Sequence, residues 1–119
     1  MIGKRYADRL WGFEWLNEIV PGNKCKDPVA EYVAICRAGY KAAKAVNPKF
    51  VCQLAGGLWP HNYRIDCLNA GVAEWVDVLP VHYSTYEGIV EAKNDLAVRD
   101  IKKVRVADNA LQPGGSARR

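Results

Sequence analysis

Apolar residues in this chain fall into short runs, each broken by a single charged or amide residue (Glu14, Gln53, Asp77, Arg105), separated by stretches in which they recur every three or four positions. Trp11 to Leu16, Phe50 to Ala55 and Val76 to Val81 are such runs, and Val104 to Ala107 is a shorter fourth. Runs of this length bounded by turn residues read as buried strands. Between the first two, Val29, Tyr32, Val33, Cys36, Tyr40, Ala43 and Val46 recur at helical spacing. Asp27-Pro28 supplies the helix start, with aspartate as N-cap and proline at the first helical position. Asn47-Pro48 ends it, because the residue before a proline is pushed out of the helical region. Tyr6 to Leu10 reads as the end of an earlier helix. A short helix is expected over Tyr63 to Ala70, stopped by Gly71. Ser84 or Thr85 caps a longer one that runs to about Lys103. Pro21-Gly22-Asn23 and the stretch from Gly56 to Asn62 are loops.

Strands that alternate with helices imply right-handed βαβ units and a parallel sheet, so the fold class is α/β. The near-continuous apolar strands agree, since a parallel sheet is covered on both faces. The expected organisation is one domain over residues 1–110. A Gly/Ser/Arg-rich tail follows over 111–119, with no apolar pattern and expected disorder.

Composition narrows the partners. Of 119 residues, 50% are hydrophobic and 25% charged, the balance of a globular protein rather than a disordered one. The formal charge of +4 is spread along the chain in short pairs such as Lys4-Arg5 and Lys102-Lys103. A nucleic-acid binder usually clusters its basic residues, so none is expected as partner. No apolar run approaches the ~20 residues of a membrane span. Met1 to Leu10 carries four charged residues and lacks the apolar core of a secretory signal. Cys25, Cys36, Cys52 and Cys67 contain no CxxC pair, so no metal site is expected, and Cys36 and Cys52 read as small core residues. The cysteines leave the compartment open.

In a parallel α/β protein, ligands lie beyond the carboxyl ends of the strands. That rule selects Asn17-Glu18, the loop after Phe50 to Ala55, His82-Tyr83 and Asp108-Asn109. Glu18 ends a very apolar strand, and an apolar wall is what raises a carboxyl toward general-acid use. The plainer reading makes it the first residue of a solvated loop. His82 and Tyr83 suit orientation of a carboxylate or a hydroxyl; alone, His82 reads as a half-buried and satisfied imidazole. Trp59 and Tyr63 are rings that could stack on a sugar or anchor their own loop, and His61 could be a polar contact there, the less favoured of its readings. Trp75 reads as core. Asp77 points either into a polar layer of the sheet or out toward a helix start.

The same residues carry a family pattern. Phe13-Glu14-Trp15-Leu16-Asn17-Glu18 resembles the W-x-x-x-N-E strand 4 of the clan-A glycoside hydrolases. The helix from Glu31 to Pro48 is similar to their helix 4, and Val76-Asp77-Val78-Leu79-Pro80-Val81-His82-Tyr83 to their strand 6. Order and spacing agree from about residue 10 to residue 107. The resemblance implies a partial (β/α)8 barrel of about four parallel strands from a retaining β-glycosidase, covering strand 4 to strand 7. It implies Glu18 as acid/base, Asn17 as contact to the hydroxyl beside the reacting carbon, and His82 and Tyr83 near the nucleophile. The partner is then a carbohydrate, with Trp59 a further contact, and the chemistry needs no cofactor.

The match fails at one place. A retaining enzyme needs a second carboxylate about 5–5.5 Å from the first, a glutamate at the end of strand 7 in this clan. Val104 to Ala110 falls there and holds no glutamate. Asp108 is the nearest substitute and is one methylene shorter; alternatively, Ala110 stands at the glutamate position. A complete barrel needs about 250 residues. The expectation is therefore an internal piece, truncated or shifted in frame near Asn109. It would be inactive alone and prone to self-association through open sheet edges. The alternative is a non-catalytic carbohydrate-binding or interaction module.

Overall fold

A computed structural model describes residues 2–22, 24–82 and 85–110, without the side chains of 2, 3, 109 and 110. The 111–119 tail lies outside the described residues, as do Tyr83 and Ser84. The fold is α/β, with four parallel strands alternating with helices in one sheet. The strands are β1 (Gly12–Glu14), β2 (Val51–Gln53), β3 (Val78–His82) and β4 (Arg105–Ala110). The helices are α1 (Ile2–Arg5), α2 (Pro28–Val46), α3 (His61–Asn69) and α4 (Tyr86–Ala97), with a 3-10 turn at Val72–Trp75.

Each strand pairs with the next in sequence, in the order β1-β2-β3-β4. The order never reverses, unlike that of a doubly wound sheet, which turns back at a switch point. Tyr32 and Cys36 of α2, Tyr63, Cys67 and Leu68 of α3, and Ala92 and Leu96 of α4 meet Leu54, Leu79 and Val81 in one core cluster. The three helices thus cover the same face. A second cluster of Ala43, Phe50 and Cys52 extends that layer under Phe13 and Trp15. Because side chains alternate along a strand, Glu14, Gln53, Val78 and Arg105 turn to the other face. These four are joined in register across the sheet.

Local chemistry explains most element ends. Asp27 accepts the Ala30 N–H at 2.9 Å, and Pro28 opens α2 as expected. Asn47 caps its far end, with an extended backbone ahead of Pro48. Gly71 adopts the left-handed φ of 84° that stops α3. Three expectations need correction. The first helix ends at Arg5, and Tyr6 to Arg9 is a turn closed by Leu10 N–H to Tyr6 C=O at 2.9 Å. β1 and β2 are three residues each, shorter than their apolar runs; the rest of the second run, Phe50, Leu54 and Ala55, is buried outside the ladder, whereas Trp11 and Leu16 of the first are exposed. And α4 ends at Ala97 rather than near Lys103. There Asp100 takes a left-handed φ of 54°, and Ile101 N–H reaches back to Leu96 C=O at 3.0 Å. That is a Schellman closure with aspartate where glycine is usual, so no glycine marks the stop.

Three cysteines are core residues. Cys36, Cys52 and Cys67 are free thiols, fully buried, and burial pushes each thiol up to about 11. Cys25 is a free thiol on the surface.

Two ion-paired clusters tie elements together, one joining α3 to α4 and the other α2 to the sheet. Asp95, 8% exposed on α4, receives Arg64 Nη2 at 2.6 Å and Nε at 3.0 Å, with His61 Nε2 also at 3.0 Å. His61 is therefore turned toward α4, where Nδ1 also lies 3.4 Å from Glu91, and not into the loop beside Trp59 as a ligand contact. Asp77 precedes β3 and faces neither the uncovered side of the sheet nor a helix start. Its Oδ2 accepts Lys44 Nζ, from the last turn of α2, at 2.8 Å and the Cys52 N–H at 2.9 Å. Lys44 Nζ also donates to Phe50 C=O at 2.6 Å. Partial burial opposes the Lys44 charge, but the hydrogen bond and charge of Asp77 outweigh it and hold the ammonium above its ordinary 10.5.

Removing either partner leaves the other half-buried without its counter-charge. Asp77→Asn or Lys44→Met is expected to lower unfolding free energy by about 1–3 kcal/mol, the range for hydrogen bonds to charged groups. A raised lysine pKa means the folded state holds the proton more tightly than the unfolded chain. The contribution is thus complete below the unfolded value and is lost as pH rises through the folded one. Urea titrations above pH 10 are expected to show a steeper alkaline loss in the native chain than in Lys44→Met.

Candidate active site

β1 and β2 both leave the ladder at their carboxyl ends beneath α2, where one phenol serves them together. Tyr32, 3% exposed, donates to Trp15 C=O at 3.0 Å and accepts the Ala55 N–H at 2.7 Å. Burial, chiefly, drives its hydroxyl far above the usual tyrosine range, so it remains protonated and able to donate. Just beyond, Asn17 bridges Gly56 in parallel register and Glu18 N–H donates to Gly56 C=O at 2.7 Å. Trp59 N–H then donates to Ile19 C=O at 3.1 Å, joining the two loops.

This scaffold brings together two of the residues expected to act together. Glu18 Oε1 lies 3.5 Å from His82 Nδ1, an ion-pair distance when the imidazole is protonated. The imidazole is nearly enclosed, at 11% exposure, whereas the Glu18 side chain is 59% exposed. The expected apolar wall around Glu18 is therefore not present among the described residues. Its backbone has a left-handed φ of 47°, and its carboxylate stands mostly in solvent. Asn17 is exposed beside it. Trp59 is 66% exposed, an open ring face at the carboxyl end of β2. Tyr63, the other ring considered for stacking, is buried and donates to Pro28 C=O at 2.9 Å, so it anchors α3 to the start of α2. Tyr83 lies outside the described residues.

Three contributors were not singled out in the sequence: Glu14, Gln53 and Gly56. Glu14 Oε2 accepts Gln53 Nε2 at 2.9 Å, and Oε1 accepts the Gly56 N–H at 2.8 Å. Gly56 is required by His82, since a Cβ there would stand 1.9 Å from Nε2. The Gly56-Gly57 pair was visible in the sequence, but nothing in it told which strand end would press against it.

At β4, Asp108 is the Cα partner of Val81 and Ala110 that of His82, with a register shift between. Val81 belongs to the helix-side core. The position in register with His82 is thus an alanine. Among the described residues no group of three or more His, Cys, Asp or Glu could hold a metal ion, and no helix is long and apolar enough to cross a membrane. Comparison with protein-family models, curated proteins and solved structures finds no match for this chain.

A methyl group at residue 56 must displace the imidazole or the strand. Gly56→Ala is expected to cost about 1–3 kcal/mol by overpacking and to move the His82 ring resonances in NMR spectra. An unchanged His82 ring with unchanged stability would show that the contact is not tight in solution.

Proposed function

We propose that this chain is a section of a (β/α)8 retaining glycoside hydrolase carrying the acid/base side of its site. The observation that carries the reading is the meeting of Glu18 and His82, from the first and third strands, 3.5 Å apart at the carboxyl end of a parallel sheet. Four strands in unreversed order with helices on one face support a sector of a barrel over a doubly wound sheet. In this reading the uncovered face, with Glu14, Gln53 and Arg105, is the inner wall.

The chemistry follows from the groups in place. Glu18 protonates the departing glycosidic oxygen and, in the second half of the reaction, removes a proton from the attacking water. Its exposure lets a leaving group and a water reach it in turn. His82 orients the carboxylate, Asn17 binds a sugar hydroxyl, and Trp59 offers an apolar plane to a sugar ring. No cofactor takes part. Double displacement also needs a nucleophilic carboxylate about 5–5.5 Å away. Asp108 is in register with Val81 rather than His82, which argues against it in that role.

That register favours a second reading, a carbohydrate-binding module without turnover. The two separate on phenyl β-glycosides, whose weakly acidic leaving group departs only with protonation, assayed with and without azide, a small anion able to replace an absent nucleophile. Azide-dependent product that disappears in Glu18→Gln supports the hydrolase reading. Glycoside binding lost in Trp59→Ala, with no product in either condition, supports the binding module. Neither binding nor product overturns both.

Among the described residues β1 and β4 each pair on one side only, and unpaired edges invite pairing between chains. Self-association through these edges is part of the proposal. Sedimentation is expected to show mass rising with concentration, and a strict monomer across the range would rule it out.

A further inference from the structure

We infer that Glu14 is a positioning residue, whose carboxylate sets the geometry of the Glu18–His82 pair through the backbone of Gly56. What the pair does rests on the glycosidase reading; how Glu14 holds it rests on hydrogen bonds alone.

Gly56 touches both members of the pair and, unlike the neighbouring Gly57, is hydrogen-bonded to Glu18 through its own backbone. Its carbonyl accepts the Glu18 N–H at 2.7 Å. Its missing side chain is the space filled by the His82 ring, whose Nε2 would lie 1.9 Å from a Cβ. Its own N–H is taken by Glu14 Oε1 at 2.8 Å. Glu14 and Glu18 are four residues apart on one segment, and they grip Gly56 from its two polar groups. Gly56 cannot turn without breaking a hydrogen bond to a charged acceptor, which is roughly twice as strong as a neutral one.

The carboxylate is itself held. Two donors converge on it, the Gly56 N–H and Gln53 Nε2, one to each oxygen. An ionised carboxylate has only acceptors, so it satisfies both at once; a glutamine in its place has one acceptor oxygen and would turn an NH2 toward the other donor. Glu14 is exposed, and exposed polar contacts add little to folding free energy. Its two bonds therefore act on placement more than on stability, and this separates the proposal from a merely structural role.

The test is NMR on the 15N-labelled chain and its variants. There are two histidines, so one substitution at His61 assigns the His82 ring. In Glu14→Ala the Gly56 amide proton is expected to move upfield. The Glu18 amide and the His82 ring resonances move with it, while the melting temperature changes little. Glu14→Gln keeps an acceptor for Gly56 and is expected to return Glu18 and His82 toward their native positions. A shifted Gly56 amide with unmoved Glu18 and His82 overturns the proposal, and so does failure of Glu14→Gln to restore them. If Glu14→Ala does not fold, Gln53→Ala decides, because it removes one donor from the carboxylate and leaves Gly56 intact. A Gly56 shift followed by Glu18 and His82 supports the proposal there; a Gly56 shift alone, or none, overturns it. These resonances do not depend on sugar binding or turnover, so failure of the glycosidase reading is seen separately.

Discussion

The hydroxyl of Tyr32 is the point on which the arrangement turns. Where β1 and β2 leave their ladder, the Trp15 carbonyl and the Ala55 N–H face the interior. A buried backbone group without a partner costs about 1–3 kcal/mol. One phenol from α2 satisfies both groups, at 3.0 and 2.7 Å. The two strand ends are thus held to each other and to the helix at the place where Glu18 and Gly56 begin. Trp15 reinforces this: its ring stacks on Phe13 at 5.6 Å and lies where a Cβ on Gly39 of α2 would stand 2.9 Å from it. The helix face from Tyr32 to Gly39 is therefore part of the site's support as well as part of the core.

What was legible in the sequence follows from which forces are local. The start and end of α2 are written in Asp27-Pro28 and Asn47-Pro48, each of which restricts the backbone by its own chemistry. The α/β class follows from alternating apolar runs and helical periods. The end of α4 was hidden because Asp100 holds a left-handed position without being glycine; the closure depends on Leu96 and Ile101 meeting in the core, a tertiary contact. Asp77 was ambiguous for the same reason. Its neighbour Lys44 lies on another element, and only folding decides which face of the strand meets the last turn of α2.

The candidate site divides in the same way. Glu18 and His82 were visible because each stands at the carboxyl end of an apolar run, where a parallel sheet presents its ligand groups. Glu14, Gln53 and Gly56 were not, since their roles come from register. Glu14 pairs with Gln53 across β1 and β2, and that alignment brings the carboxylate within reach of the Gly56 N–H. Apolar runs say that two strands exist but not how far one is shifted along the other. His61 and Tyr63 were open for a related reason: both follow the loop after β2. Only the start of α3 at His61 turns them toward α4 and α2, where Tyr63 is the packing anchor that was one of its two readings.

The carboxylates of the chain show how fold and site are kept apart. Asp95 and Asp77 are largely enclosed and saturated with donors, Arg64 and His61 on one, Lys44 and the Cys52 N–H on the other. Their charges are paired in place and hold neighbouring elements together. Glu18 stands 3.5 Å from the His82 imidazole and has a side chain that is mostly in solvent. On the glycosidase reading Glu18 gives up and regains a proton and needs that access; a group that locks two elements needs the opposite. Burial sorts the two kinds: the enclosed carboxylates hold elements of the fold together, and on the glycosidase reading the exposed Glu18 is the one left for proton transfer.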